Sequence, residues 1–229
     1  MYSEEVKDFG VTYVWHDAII KESIITHRGT KVEMVERPNW GLACYMDNCI
    51  QSCLLDEKIY HEALVTPVMY SLIKNVLIIG GGEGATAREV LRWPVEKVDM
   101  YEWDKDVVEL FKKYPEWSQG AWDDPRLHLF HEDIFKVELS EKYDVIIIDL
   151  FEPDEKMNEF IKKIMSWTNG SIIMYAGMNT IVNQPYKKLM NTIQTLSDSW
   201  RGILLGPTIK TYKIYIPSFS GECVFLHIN

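Results

Sequence analysis

The sequence predicts an α/β protein: an open, doubly wound sheet of mainly parallel strands preceded by a small antiparallel β domain. Three observations carry this expectation. Beyond about residue 60, strand-like and helix-like segments alternate strictly. The strand-like runs there ("VLII", "DVIIID", "SIIMY") are continuously apolar, as required of strands covered by helices on both faces. Before residue 60, short β-type runs are parted by turn-like stretches.

Taken in order, "VTYVW" (11–15), "ESIITH" (22–27), "TKVEMV" (30–35), "LACYM" (42–46) and "IQSCLL" (50–55) are separated by "HRGT", "RPNWG" and "MDN". This pattern reads as hairpins, giving an N-terminal β-hairpin domain over 1–60. The second domain, 61–229, is expected to contain strand 75–79, helix 83–93, strand 97–102, helix 104–113, and strands 126–130 and 143–149. Helix 154–167, strand 170–175 and helix 183–199 follow, and "GILLG", "YKIYI" and "ECVFLHI" read as closing strands.

The chain has 229 residues, is 47% hydrophobic and 25% charged, and carries a formal net charge of −10. It is long enough to bury a full core. No basic cluster follows a phosphate backbone, so no nucleic acid is expected as a partner, and the field suits a cationic small molecule. No apolar run approaches a membrane span, so no membrane partner is expected. The opening "MYSEEVKDFG" lacks the basic and apolar regions of a signal peptide, which places the expected location in the cytoplasm. Cys44, Cys49, Cys53 and Cys223 show no C-x-x-C spacing and read as reduced, buried thiols. His128 and His131 lie at odd strand spacing, and no metal site is expected. Trp93, Trp103, Trp117, Trp122, Trp167 and Trp200 read as core or interface packing, because no basic groove accompanies them.

In a doubly wound sheet the ligand sits at the carboxyl ends of the strands, where strand order reverses. Those ends carry Gly80, Gly81, Gly82, Glu83 and Gly84, then Glu102, Asp133, Asp149 with Glu152, and Tyr175. A single acid after a strand is usually a helix cap; four on one rim are more than capping requires. Glu102 lies 20 residues beyond Gly82, the separation at which an acid meets a ribose diol, and Gly80–Ala85 satisfies G-x-G-x-x-A. Glu83 opposes a dinucleotide, since a carboxylate in a pyrophosphate cradle brings like charges together. A phosphate-free, cationic nucleoside of the S-adenosylmethionine type removes that conflict. In that reading the glycines admit close backbone approach, Glu102 holds the ribose, Asp133 receives the adenine amino group and Glu83 attracts an ammonium.

"LDEKIYHEALV" (55–65), "VLIIGGGEGATAREVL" (76–91), "DDPRLHLFHED" (123–133), "KYDVIIIDLFEP" (142–153) and "YIPSF" (215–219) together resemble the polyamine aminopropyltransferases, the spermidine and spermine synthase family. The resemblance implies a β domain ahead of a Rossmann-like domain of the S-adenosylmethionine-methyltransferase type. It also implies decarboxylated S-adenosylmethionine as cosubstrate with no prosthetic group, and a di- or polyamine acceptor, putrescine first. A homodimer is the family habit. Carried over residue by residue, Asp149 is the base that takes the proton from the attacking amine. Glu152, Tyr60, His61 and Phe219 lie on the amine or transferred chain. Gln51, His61, Gly80, Gly82, Glu83, Glu102, Asp133 and Ile134 contact the nucleoside.

The chain departs from the family pattern at several points. Glu83 and Glu152 stand where the family usually has Asp, each extending the carboxylate by about 1–1.5 Å. Phe219 stands where a tyrosine is usual, Thr30 where a glutamine is expected, and "DLFEPDEKMNEF" replaces a longer "GPA"-type lid. The glycine loop and "YAGMN" resemble the thermospermine branch. A thermospermine or spermine synthase, an S-adenosylmethionine-dependent methyltransferase and a catalytically weakened homologue are therefore the alternatives to the putrescine reaction.

Overall fold

The computed structural model describes residues 1–6, 10–151, 153–179, 185–200 and 208–229. The N-terminal part holds a two-stranded hairpin, β1 (Tyr2–Val6) and β2 (Val11–Trp15), and an antiparallel four-stranded meander. The meander is built from β3 (Ile19–Ile25), β4 (Lys31–Arg37), β5 (Gly41–Met46) and β6 (Cys49–Cys53). Arg37 is buried between the rings of Trp15 (4.2 Å) and Trp40 (4.7 Å) and bonds Tyr45 Oη at 3.0 Å. Stacking of this kind suits a weakly hydrated guanidinium, and here it staples hairpin to meander.

The chain then enters α1 (Glu57–Val65), a helix that the hairpin pattern does not announce. Its buried positions, Tyr60, His61, Leu64 and Val65, follow the i, i+1, i+4, i+5 spacing of one helical face. After it come β7 (Asn75–Gly80), α2 (Ala85–Leu91), β8 (Lys97–Tyr101), α3 (Lys105–Phe111), the single turn α4 (Pro115–Ser118) and β9 (Leu127–Phe130). The chain continues with β10 (Tyr143–Asp149), α5 (Glu155–Ser166), β11 (Thr168–Met178), α6 (Pro185–Trp200), β12 (Ile209–Ile216) and β13 (Gly221–Ile228). The seven strands β7–β13 form one sheet in the order β12-β13-β11-β10-β7-β8-β9, parallel except that β13 runs antiparallel to both its neighbours, β11 and β12.

Both faces of the parallel strands are covered, which explains their unbroken apolar sequence. Val76, Ile78, Val145 and Ile147 pack with Leu64 of α1 and Val90 of α2. Leu77, Ile79, Ile146 and Ile148 pack with Ile161 of α5 and Leu189 of α6. The meander joins the second part through Val32, Met34 and Cys44, which share a core with Val107, Leu110, Phe111 and Trp117. No helix among the described residues is long and apolar enough to cross a membrane.

The expected elements recur with shifted ends. The helix expected over 83–93 starts at Ala85, because Gly84 adopts φ +80° and keeps Glu83 in the loop. The strand expected over 170–175 runs to Met178, so Tyr175 lies inside a strand rather than at its end. Cys44, Cys53 and Cys223 are buried as expected, whereas Cys49 is half-buried and lines the cavity described below. The "GILLG" strand lies outside the described residues.

Candidate active site

Strand order reverses between β7 and β10, whose ends lie side by side with Gly80 opposite Asp149. Gly80 makes this closeness possible. Its φ is +87°, and a Cβ there would lie 2.1 Å from the Asp149 carbonyl oxygen. Gly81 N–H donates to that same oxygen at 3.2 Å, so the glycine loop is tied to the residue expected to act as base.

A cavity of about 590 Å³ opens at this switch point, between the sheet's carboxyl ends and the meander. Gln51, Tyr60, His61, Gly82, Glu83, Glu102, Asp149 and Phe219 all line it. Among the described residues its charged lining consists of Asp47, Glu83, Glu102, Asp104 and Asp149 with one histidine, His61, and no lysine or arginine. Gly80 shapes the loop from below without lining the cavity. Asp133 and Ile134 also stand outside the lining. Asp133 caps the turn Ile134–Lys136, accepting from Phe135 N–H at 3.2 Å, and pairs with Lys136 at 3.2 Å. Glu152 lies outside the described residues.

Asp149 is held at both oxygens. Tyr60 Oη donates to Oδ1 at 3.0 Å, and Thr86 Oγ1 donates to Oδ2 at 2.5 Å. Tyr60 is itself packed among Tyr175 (5.8 Å between centroids), Phe219 (6.0 Å) and Phe225 (5.4 Å). Burial, then the Asp149 charge, raises its phenol well above the usual range and keeps it a donor. Phe219 is placed by a trade at the start of α1: the Asp56 carboxylate does not cap the helix but accepts from Ser218 N–H (2.6 Å) and Ser218 Oγ (2.8 Å).

At the other end of the cavity Glu102 is 8% exposed and accepts from Asp104 N–H at 2.8 Å. A Cβ on Gly82 would lie 3.1 Å from Glu102 Oε2, so the second glycine gives this carboxylate its room. Burial raises the Glu102 carboxyl to about 7; the Asp104 N–H works against the rise, and the Asp104 and Asp149 charges add to it. Between the two ends, Glu83 Oε1 lies 2.6 Å from His61 Nε2. Burial opposes the His61 charge, but Glu83, Glu57 and Asp149 outweigh it and raise the ring's pKa to about 10.

Sequence reasoning missed three participants. Thr86 follows the glycine loop by two residues, where the first turn of α2 aims its hydroxyl back at β10; a hydroxyl at that spacing was the available signal. Glu57 stands behind His61, outside the cavity lining, and had none. Trp103, expected in a core or interface, is 48% exposed, lines the cavity beside Glu102, and carries the Arg28 guanidinium 4.0 Å above its ring. Trp117 and Trp167 are buried as expected, Trp93 and Trp122 are half-buried, and the Trp200 side chain lies outside the described ones. One trio of metal-type side chains occurs among the described residues, His27, Asp104 and Asp106. Its members already bond one another: His27 N–H and Nδ1 reach Asp106 Oδ2 at 2.7 and 2.8 Å, and Asp104 caps α3.

The family model described as the spermine/spermidine synthase domain matches residues 57–229, from the first residue of α1 to the last of the chain. The chain belongs to the spermine/spermidine synthase family. A polyamine aminopropyltransferase of Saccharolobus solfataricus is 40% identical over 201 residues, covering 80% of this chain and 66% of that protein. One from Sulfolobus acidocaldarius is 35% identical over 232 residues, covering 94% of this chain and 74% of the relative. The chain thus spans just under two thirds of the first relative's length and about three quarters of the second's. Family members among solved structures share the fold. The spermidine synthase of Thermotoga maritima superposes with a TM-score of 0.80 at 24% identity, covering 99% of this chain and 78% of that one. A spermidine synthase in complex with the transition state analogue AdoDATO gives 0.82 at 24% identity and the same coverage.

Proposed function

We propose that this chain transfers the aminopropyl group of decarboxylated S-adenosylmethionine to putrescine, giving spermidine and methylthioadenosine. The observation that carries the reading is the cavity's lining, which among the described residues holds five carboxylates, one of them Glu83 of the glycine loop, and no lysine or arginine. Such a lining repels a diphosphate and attracts cations. The relatives' name and the analogue held by the fold neighbour support the same class.

The chemistry needs few groups. The attacking amine, with a pKa near ~10, is protonated at neutral pH, and exposing its lone pair costs about 4 kcal/mol. Asp149 takes that proton while Tyr60 and Thr86 hold its carboxylate in place. The nitrogen lone pair attacks the methylene next to sulfur, the N–C bond forms and the C–S bond breaks. Its electron pair goes to sulfur, so a sulfonium leaves as a neutral thioether and no acid is required. Glu83 holds the ammonium of the transferred arm and Glu102 holds the ribose. The remaining catalysis is alignment of two cations by fixed carboxylates.

Calorimetry with decarboxylated and intact S-adenosylmethionine tests the reading. The decarboxylated form is expected to bind at least tenfold more tightly, because the extra carboxylate of the intact form would enter an acidic cavity; tighter binding of the intact form overturns it.

A further inference from the structure

His61 lies 2% exposed between acceptors on both sides. Its Nδ1 faces the Glu57 carbonyl at 2.6 Å and Glu57 Oε2 at 3.1 Å, and its Nε2 faces Glu83 Oε1 at 2.6 Å. A neutral imidazole donates from one nitrogen only, so an unprotonated ring would set a lone pair against an acceptor at the other. Glu57 cannot turn away. Arg88, 7% exposed, grips both its oxygens at 2.8 and 3.1 Å and is itself fixed by Glu89 at 2.9 Å and the Trp117 carbonyl at 2.5 Å.

We propose that Glu57 is a positioning residue: backed by Arg88, it holds His61 as a buried imidazolium, and this cation keeps Glu83 ionised with its second oxygen free for the ammonium of the transferred arm. The inference deepens the functional reading above and rests on it for the identity of the arm. Glu83 needs such help. Burial raises its carboxyl, the Asp149 and Glu57 charges raise it further, and His61 is the group that lowers it. The other groups facing the pair are Tyr60, whose ring centroid lies 5.0 Å from that of the imidazole in an edge-on arrangement, and the Cys44 thiol, which burial and Glu83 keep protonated. The pair therefore consumes one buried positive charge to keep one carboxylate anionic in a cavity where carboxylates would otherwise repel one another into protonation.

Ring-nitrogen NMR across pH 5.5–9, with the His61 signals assigned through His61→Gln, reads the proton count with no nucleoside present. Both His61 nitrogens are expected to stay protonated beyond pH 8.5, and titration at an ordinary imidazole value near ~6.5 would overturn the proposal. In Glu57→Gln the ring is expected to deprotonate at lower pH. The preference for decarboxylated S-adenosylmethionine over methylthioadenosine, which lacks the arm, should then fall by about tenfold between pH 6 and 8.5 while the wild-type ratio holds. That ratio cancels effects at the ribose end. A ratio unchanged in a variant whose His61 has lost its proton overturns the coupling. Should Glu57→Gln not fold, Glu57→Asp, which draws the carboxylate back by one methylene, reads the same coupling: His61 is expected to deprotonate at lower pH, and a ring still doubly protonated beyond pH 8.5 overturns the role of Glu57. Failure of the functional reading shows separately, as absence of nucleoside binding with His61 still doubly protonated.

Discussion

If Glu102 holds the ribose as proposed, nucleoside binding is a proton-linked event. In the free protein, burial holds this carboxyl up to about 7, so it is half protonated near neutrality. A ribose diol offers two hydroxyl donors that a carboxylate can accept together and a carboxylic acid cannot, so the complex selects the ionised form. Lowering the pH is the perturbation, and below about 7 each pH unit costs about tenfold in affinity. Methylthioadenosine is therefore expected to bind about 30-fold more weakly at pH 5.5 than at pH 8. Calorimetry in two buffers of different ionisation enthalpy should detect release of up to about one proton near pH 6. The sign carries over to stability. A carboxyl raised in the folded state contributes stability below its unfolded value of 4.5 that is lost as pH rises through about 7. Nucleoside should thus protect the protein most at the alkaline end. Glu102→Gln should abolish the pH dependence and weaken binding at pH 8. Affinity that is flat from pH 5.5 to 8 in the wild type, or a slope that survives Glu102→Gln, refutes the reasoning.

Three further outcomes are expected. Asp149→Asn should lower turnover by ~10²-fold or more with little change in methylthioadenosine affinity; an unchanged rate removes it as the base. Thr86→Val, which deletes the donor to Asp149 Oδ2, should lower turnover about tenfold, and Thr86→Ser should restore it; equal losses in both variants would mean packing rather than hydrogen bonding. Gly80→Ala would force a Cβ to 2.1 Å from the Asp149 carbonyl at φ +87°, costing about 3 kcal/mol of stability; an unshifted denaturant midpoint contradicts that geometry.

The sheet was legible because its physics is repetitive. Strands covered on both faces must be apolar along their buried stretch, and residues 76–79 of β7, 145–148 of β10 and 172–174 of β11 are. The cavity's acids were legible where an unusual residue type stands at a topologically fixed place: Glu83 in a glycine loop and Glu102 and Asp149 at strand ends all line it. Helix α1 was harder to see: its apolar face is shared with His61, its first turn holds Lys58, and its Asp56 serves Ser218 instead of capping. Asp133 was legible as an acid after a strand, but that signature is the same whether the acid meets a ligand or caps a turn; its carboxylate accepts from Phe135 N–H and stands outside the cavity lining. Contacts between distant elements, such as Thr86 with Asp149 or Arg88 with Glu57, depend on side-chain direction across the fold and leave no local pattern.

The most direct test of the whole account is product analysis. The protein is incubated with decarboxylated S-adenosylmethionine and putrescine, and in parallel with spermidine, and the amines and nucleosides are separated by mass. The account predicts spermidine from putrescine with methylthioadenosine in equal amount. Methylthioadenosine with only a tetraamine from spermidine would correct the acceptor, and the absence of any new amine in either incubation, with a folded protein that binds the nucleoside, would contradict the account.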